Sequence, residues 1–206
     1  VITEQTILPK IHGKVKANAA ELVEAMDGKL SFEDRFLLGQ SLEHYRHSVN
    51  QVEEITVVIK QYVLERFERE YNLLIELPGV SAIVACVILS EIGPNVEAFQ
   101  SQGNLASWAG VCPGSYESAG IKKSSHTTQG NKYLKSSLFQ AGGTAGRSKD
   151  EAFHNLYARI SGRSSKMKAI IACAHKMIRV IYKILSTGEH YDAKKALGLR
   201  QQARAN

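Results

Sequence analysis

Apolar residues recur along most of the chain with helical spacing, and this pattern predicts an almost wholly helical protein. Ser31 is a predicted N-cap, and between it and about Asn72 no proline or glycine occurs except Gly39. Positions spaced alternately by four and three residues in this stretch are apolar in all but one case: Leu38, Leu42, Tyr45, Val49, Val52, Thr56, Ile59 and Val63. This is the period of a coiled coil. It predicts a helix of roughly 40 residues, about 60 Å long at 1.5 Å per residue.

So long an apolar stripe needs a partner to cover it. The helix could fold back against the short amphipathic segment 14–27, or two copies of the chain could associate along residues 38–63. Tyr45 and Thr56 lie in the seam and are not the residues of an ideal zipper. Of the two arrangements we expect the homodimer, or a higher homo-oligomer.

The long helix is followed by a turn whose sequence is Leu-Pro-Gly-Val-Ser, residues 77–81. Proline ends a helix and glycine supplies unusual backbone angles, so the turn and the next helix, 82–92, resemble a helix-hairpin-helix element. Free N–H groups at the start of the second helix could hold a phosphate, with Gly79 and Ser81 as candidate contacts. The alternative is a plain helical hairpin, which the flanking Glu76 and Glu91 favour.

The remaining elements are short helices and one irregular segment. We expect helices over 104–109, 132–147 and 151–160 and from about 166 to Gly188, with a glycine- and hydroxyl-rich loop or β-hairpin over 110–131. In the helix 132–147 we expect Leu134, Leu138 and Ala141 to face inward, and we expect Ser164-Ser165 to cap the last helix. The fold class is therefore mainly α: a long coiled-coil helix, then a compact helical domain that contains the hairpin elements. We predict domain ranges of 1–72 for the coiled coil, 73–192 for the compact domain and 193–206 for a loose basic tail.

Charge divides the chain of 206 residues into two parts. Residues 1–120 hold 9 Lys and Arg against 16 Asp and Glu, whereas residues 121–206 hold 17 against 4. A segment this basic attracts a polyanion, and nucleic acid is the commonest one inside cells. A basic face that is merely solvated is the alternative interpretation.

Several classes of protein are disfavoured by composition. The longest apolar run has eight residues, from Ala82 to Leu89, against roughly 20 for a membrane span. The start of the chain has no signal-peptide pattern, and the three cysteines form no Cys-x-x-Cys pair. The seven histidines are scattered and the basic half has few carboxylates, so we expect no metal or other cofactor in this chain. We expect a cytoplasmic protein without a membrane partner.

Ser118 is the one candidate nucleophile in the irregular segment. Ala119 and Gly120 would let a phosphodiester approach the backbone, and Lys122 and Lys123 would stabilise charge on the phosphate. By pattern alone, however, a Ser-Ala-Gly sequence is more often a turn than a reactive site.

An ordered set of motifs carries a resemblance to a known family. These motifs are Leu77-Pro78-Gly79-Val80, Glu91-Ile92-Gly93, Leu105 to Gly110, Cys112-Pro113-Gly114, Glu117 to Gly120 and Gly130-Asn131. Together with the coiled-coil segment and the Ala-His-Lys-Met run at 174–177, the sequence resembles the carboxy-terminal half of insertion-sequence-110 family transposases. These are bridge-RNA-guided recombinases of bacterial mobile elements.

The resemblance implies a site and several partners. The family has an amino-terminal RuvC-like domain whose Asp-Glu-Asp-Asp tetrad binds Mg²⁺, then a coiled coil and a transposase domain with an essential serine. Ser118 occupies the position of that serine. The resemblance thus implies DNA and guide RNA as partners, and Mg²⁺ for the full-length enzyme. The sequence begins at the coiled coil, so we expect a fragment that is inactive alone.

Three functional hypotheses follow. In the first, Ser118 attacks DNA during strand exchange, Lys122 and Lys123 hold the phosphate and His126 carries a proton, with Gly120 and Lys132 as further phosphate contacts. In the second, the chain is a non-catalytic helix-hairpin-helix module that binds nucleic acid. In the third, it is a scaffold dimer with a basic surface. The family resemblance places the first well ahead.

Overall fold

A computed structural model of the chain describes residues 2–28, 30–114, 116–118, 121–124, 126–127 and 129–198. For residues 116–118 and 121–124 the description covers the backbone alone. The chain divides into two compact units, Val1–Glu54 and Ile55–Asn206, which are described separately below. Helices dominate the described residues, which confirms the predicted mainly α fold. The predicted domain boundary at 72/73 stays a prediction.

The first unit begins with two short elements that the sequence pattern did not predict. These are α1 (Glu4–Ile7) and a 3₁₀ helix (Leu8–Lys10), and they are followed by α2 (Ala19–Met26). Helix α2 is shorter than the predicted segment 14–27 because Asn18 ends the preceding loop: its side chain accepts a hydrogen bond from the Glu21 N–H at 2.9 Å. No described residue before Val63 is buried.

The long helix is confirmed as α3 (Phe32–Ile75). It begins as predicted at Ser31, whose hydroxyl accepts from the Asp34 N–H at 3.1 Å while Asp34 accepts from the Ser31 N–H at 3.3 Å. One difference is a break at Phe67, where φ is −138° and ψ is 34°. No proline is nearby. The break lies where α3 changes from an exposed helix to one that buries Tyr71, Leu73 and Leu74.

The heptad stripe of α3 stays open along most of its length. Val63 is 5% exposed, whereas Leu38 is 56% exposed, Leu42 47%, Val52 64% and Ile59 46%. Apolar side chains this exposed over many turns are unusual on the surface of a monomeric protein.

The second unit is a helical core formed around α8 (Lys166–Thr187). Helices α6 (Lys132–Arg147) and α7 (Glu151–Arg163) pack against it and against each other, α5 (Gln102–Trp108) also packs on α8, and α4 (Ala82–Ile92) packs on α6. The predicted inward positions of α6 are confirmed, since Leu134 and Leu138 are 0% exposed. The predicted ends of α8 are confirmed too, with Ser165 as cap and Gly188 in the left-handed conformation.

Residues 193–198 differ from the predicted loose tail. Ala193–Gly198 form the short helix α9, in which Ala196 is only 3% exposed and belongs to the core. Burial of this alanine holds the segment in place, although its composition is polar and basic. Residues 199–206 lie outside the described residues. None of the described helices has the length and apolar character that a membrane crossing needs.

Candidate nucleic-acid interface

The irregular segment leaves the helical core at a tight backbone junction. The Asn131 N–H donates to the Trp108 carbonyl at 3.0 Å, and the Val111 N–H donates to the Ala106 carbonyl at 3.1 Å. A Cβ on Gly130 would lie 2.4 Å from the Gly110 nitrogen and 2.5 Å from the Trp108 oxygen. Only glycine allows the two backbones to approach this closely. The junction therefore fixes both ends of the segment.

Asn131 connects this junction to two helices. Its Oδ1 accepts from the N–H groups of Tyr133 and Leu134 at 3.0 and 2.9 Å, which caps α6. Its Nδ2 donates to the Glu91 carboxylate at the end of α4. The motifs around Glu91, Trp108 and Asn131 thus meet at the junction. Their shared role is to hold the two ends of the irregular segment.

Beyond the junction the segment forms a β-hairpin, which we call the arm (residues 113–127). At its base the Gly114 N–H donates to the His126 carbonyl at 2.8 Å, and Pro113 bridges to Thr127. Further out, β1 (Tyr116–Ser118) pairs antiparallel with β2 (Ile121–Ser124), and Ser118 is opposite Ile121. This confirms the predicted loop or β-hairpin and places Ser118 at the outer end of β1.

Most predicted site residues belong to the arm or its base. Lys122 lies opposite Glu117, and Lys123 follows it in β2, so both lysines are within a few residues of Ser118 across the strand pair. His126 is exposed at the base, and Lys132 is exposed at the start of α6. Gly120 lies outside the described residues.

Gly79 and Ser81 are separated from the arm. Gly79 has φ +82°, and a Cβ there would lie 2.3 Å from the carbonyl oxygen of Ala141, in the second half of α6. The Lys132 end, where the arm attaches, is nine residues away, about 14 Å along the helix. The helical hairpin is present, but its turn packs on protein, which disfavours phosphate binding by Gly79. Ser81 is exposed and caps α4, its Oγ accepting from the Val84 N–H at 3.3 Å.

Several ionisable groups on α8 are partly buried in the second unit. Burial lowers the pKa of His175, and the neighbouring Arg179 lowers it further. Burial likewise lowers the pKa of Lys176, whose Nζ donates to the Ala152 carbonyl at 2.8 Å, and raises the pKa of Cys173 to about 11. Lys176 and Cys173 join α8 to α7, since the Cys173 thiol also donates to a carbonyl of α7, that of Phe153, at 3.8 Å. Within the described ranges no three His, Cys, Asp or Glu side chains are close enough to share a metal ion.

A groove of about 800 Å³ lies elsewhere in the second unit. It is lined by the start of α5, the end of α8 and the segment that follows, including Ser101, Tyr182 and Tyr191. None of the predicted site residues lines it. The Tyr191 hydroxyl donates to Asp150 at 3.0 Å, and burial together with that carboxylate raises the pKa of Tyr191. The groove thus has no connection with the predicted chemistry.

The junction gives a prediction about stability. Replacing Asn131 by alanine removes both the cap of α6 and a hydrogen bond to a charged carboxylate, so we expect a loss of roughly 2–4 kcal/mol in the free energy of unfolding. Ser165→Ala is the matched control, because the Ser165 Oγ caps α8 by accepting from the Lys168 N–H at 3.3 Å. This substitution should lower the free energy of unfolding by about 1 kcal/mol. Urea denaturation measures both, and equal losses would contradict the role given to Glu91.

Sequence comparisons agree with the motif resemblance. The profile of the family described as Transposase IS116/IS110/IS902 matches residues 71–158, from the end of α3 into α7. "Putative transposase y4pF/y4sB" of Sinorhizobium fredii is 28% identical over 156 residues, which is 72% of this chain and 39% of that protein.

Two proteins named for pilin gene inversion are similar to the same degree. The pilin gene-inverting protein of Moraxella lacunata is 28% identical over 158 residues, covering 74% of this chain and 48% of that protein. Its counterpart in Moraxella bovis is 27% identical, with 75% and 48% covered. The chain spans less than half of the length of these relatives. The comparisons confirm the family resemblance that the motifs predicted.

Proposed function

We propose that this chain acts in DNA strand exchange with Ser118 as the nucleophile, because its residues 71–158 match the profile of the IS116/IS110/IS902 transposase family. The observation that carries the proposal is the position of Ser118 at the outer end of β1. Ser118 is the last residue of β1, and we propose that a DNA backbone approaches the arm at this end of the strand.

The proposed step is a transesterification. The Ser118 hydroxyl gives its proton to a base and its oxygen bonds to phosphorus, while the bond between phosphorus and one deoxyribose oxygen breaks and that oxygen takes up a proton. A deoxyribose hydroxyl of the new strand then attacks the phosphoserine and releases the serine. The phosphodiester energy is retained, so no further reactant is needed.

The arm also supplies the charges that such a step requires. Negative charge increases on the phosphoryl oxygens in the transition state, and Lys122 and Lys123 are the cations assigned to it. His126, at the base, is the proposed proton carrier, and Gly120 leaves space for the phosphate. We propose that DNA and a structured guide RNA both bind this basic part of the chain.

We propose that Mg²⁺ is bound outside the described residues. The full enzyme is proposed to use Mg²⁺, but the part of the chain that the structure describes offers no group of three suitable ligands.

The direct test is Ser118→Ala in an assay of strand exchange, with DNA binding measured alongside. The second candidate, a binding module without chemistry, is favoured by the excess of 17 Lys and Arg over 4 Asp and Glu in residues 121–206. It predicts that Ser118→Ala changes nothing and that charge reversal at Lys122 and Lys123 abolishes binding. The salt dependence of DNA binding gives the number of phosphate contacts. Each neutralised phosphate of duplex DNA adds about −0.9 to the slope of log K against log salt.

Self-association along α3 is a further part of the proposal. Val52 is 64% exposed in the heptad stripe, so Val52→Glu should put repelling charges in a dimer seam and weaken association at least tenfold. Gln51→Glu is the matched control, one residue outside the stripe, and should have little effect. Sedimentation equilibrium measures both, and a wild-type chain that is monomeric at high micromolar concentration would contradict the dimer.

A further inference from the structure

Two exposed aromatic side chains lie at the base of the arm. Trp108 is 40% exposed although its ring packs against Phe99 at 5.4 Å between centroids, and Tyr133 is 61% exposed. The backbone that carries Trp108 is hydrogen-bonded directly to Asn131, and Tyr133 follows Asn131 by two residues. The backbones that carry the two rings thus both belong to the junction.

The same place is positively charged. Lys132 and Lys135 are in the first turn of α6, which has no acidic residue. Lysine at a helix start is unfavourable because free N–H groups already make that end positive. The Lys132 Nζ lies 4.9 Å from the centre of the Tyr133 ring, and no carboxylate among the described residues lies within ion-pair distance of this amine. This arrangement is suited to a ligand that carries both an anionic group and a planar ring.

We propose that Trp108, Tyr133 and Lys132 bind an unpaired nucleotide of a DNA strand, with its base stacked on an aromatic ring and its phosphate held by the lysine. The inference rests on the proposed function, because it assigns a second contact to the strand that Ser118 attacks. Aromatic rings bind bases of any sequence, and a neighbouring cation holds the backbone, which is how single strands are commonly recognised.

The separation between this surface and Ser118 fits one DNA strand. Ser118 is ten residues beyond Trp108, so the two are at most about 36 Å apart along the chain. Successive nucleotides rise by about 3.4 Å per strand in a duplex. The bound nucleotide would therefore lie within roughly ten nucleotides of the attacked phosphate. It would hold a strand that has left its duplex for exchange.

The chain provides its own reporter for this contact. Trp108 is the only tryptophan among the 206 residues, so its fluorescence can be followed selectively during a titration of the full chain. The probes are a short oligothymidylate, the same length of duplex DNA and the matching oligouridylate. We expect the single-stranded DNA to quench the fluorescence at saturation, and the duplex to bind with little quenching.

Substitutions test the contribution of the Tyr133 ring and that of the Lys132 charge separately. Tyr133→Ala should weaken binding of the DNA single strand roughly fivefold to a hundredfold, whereas Tyr133→Phe should retain it. Lys132→Gln should reduce the slope of log K against log salt by about 0.7. Tyr62→Ala is the matched control, because Tyr62 is 54% exposed and also lies under a cation, Arg66, at 3.8 Å from the ring centre; it should leave binding unchanged.

The outcomes distinguish this inference from the proposed function. If DNA binds with unchanged fluorescence and Tyr133→Ala binds as well as wild type, the stacking surface is wrong while Ser118 chemistry still stands. Quenching by oligouridylate alone would assign the surface to RNA and overturn the inference. If neither form of DNA binds, both the inference and the proposed DNA function fail.

Discussion

Ser118→Ala will abolish strand exchange, by at least about a thousandfold, because the alanine has no oxygen to bond to phosphorus and loss of a nucleophile has effects of this size or larger. The measurement is the formation of circular junctions in cells that carry the complete mobile element with its full-length protein. The element brings its own ends and RNA, so the target sequence need not be known. Protein level and DNA binding should stay at wild-type values, since Ser118 is at the outer end of the arm.

Ser124→Ala is the matched control for this experiment. Ser124 is in the facing strand, opposite Tyr116, and is also a small hydroxyl residue of the arm. It should leave junction formation within a few fold of wild type. Circles that persist in Ser118→Ala would show that the serine is a loop residue and that other groups perform the chemistry. Loss of circles in both variants would indicate that the whole arm had been disturbed.

Local signals in the sequence were sufficient to predict most of the helices. Ser31, Ser165 and Gly188 are capping residues whose effect depends on a few neighbours, and the structure confirms all three. The stripe of α3 was visible because its period is uninterrupted for many turns. The break at Phe67 could not be predicted, since no proline marks it and it coincides with packing of Phe67 against the core.

The arm was harder to predict than the helices. Its register depends on the junction at Trp108, Gly110 and Gly130, whose residues are about twenty positions apart in the sequence. The bond from Asn131 to Glu91 spans forty residues. The motifs that contain these residues supported the family resemblance, but their structural role required the fold. Trp108 and Tyr133 carried no signal of their own, because exposure of an aromatic ring cannot be read from spacing.

The turn at Gly79 shows that one motif is compatible with two structural roles. Proline and glycine at 78 and 79 predict a hairpin, and the hairpin is present. Whether its backbone faces solvent or protein depends on α6, which follows some fifty residues later. Gly79 faces the Ala141 carbonyl, so the glycine is explained by helix packing before any phosphate is considered.

Gly79→Ala should therefore be strongly destabilising. Its φ of +82° is unfavourable for alanine, and the added Cβ would lie 2.3 Å from the Ala141 oxygen and 2.8 Å from the Ala145 nitrogen. Both are backbone atoms of a buried helix and cannot move aside. We expect the free energy of unfolding to fall by roughly 4 kcal/mol or more, combining strain with a core clash. Urea denaturation with an unchanged m value measures this loss.

Substitutions at two other glycines show how much of the loss in Gly79→Ala comes from backbone strain and how much from the clash with α6. Gly93 has φ +87° but nothing within 4 Å of a Cβ, so Gly93→Ala should cost only the strain, roughly 1–3 kcal/mol. Gly162, in α7, also has open space, and Gly162→Ala should stabilise by up to about 1 kcal/mol. Equal losses for Gly79→Ala and Gly93→Ala would mean that the turn does not pack on α6. Its backbone would then be free to face DNA, and the phosphate-binding role predicted for Gly79 would regain support.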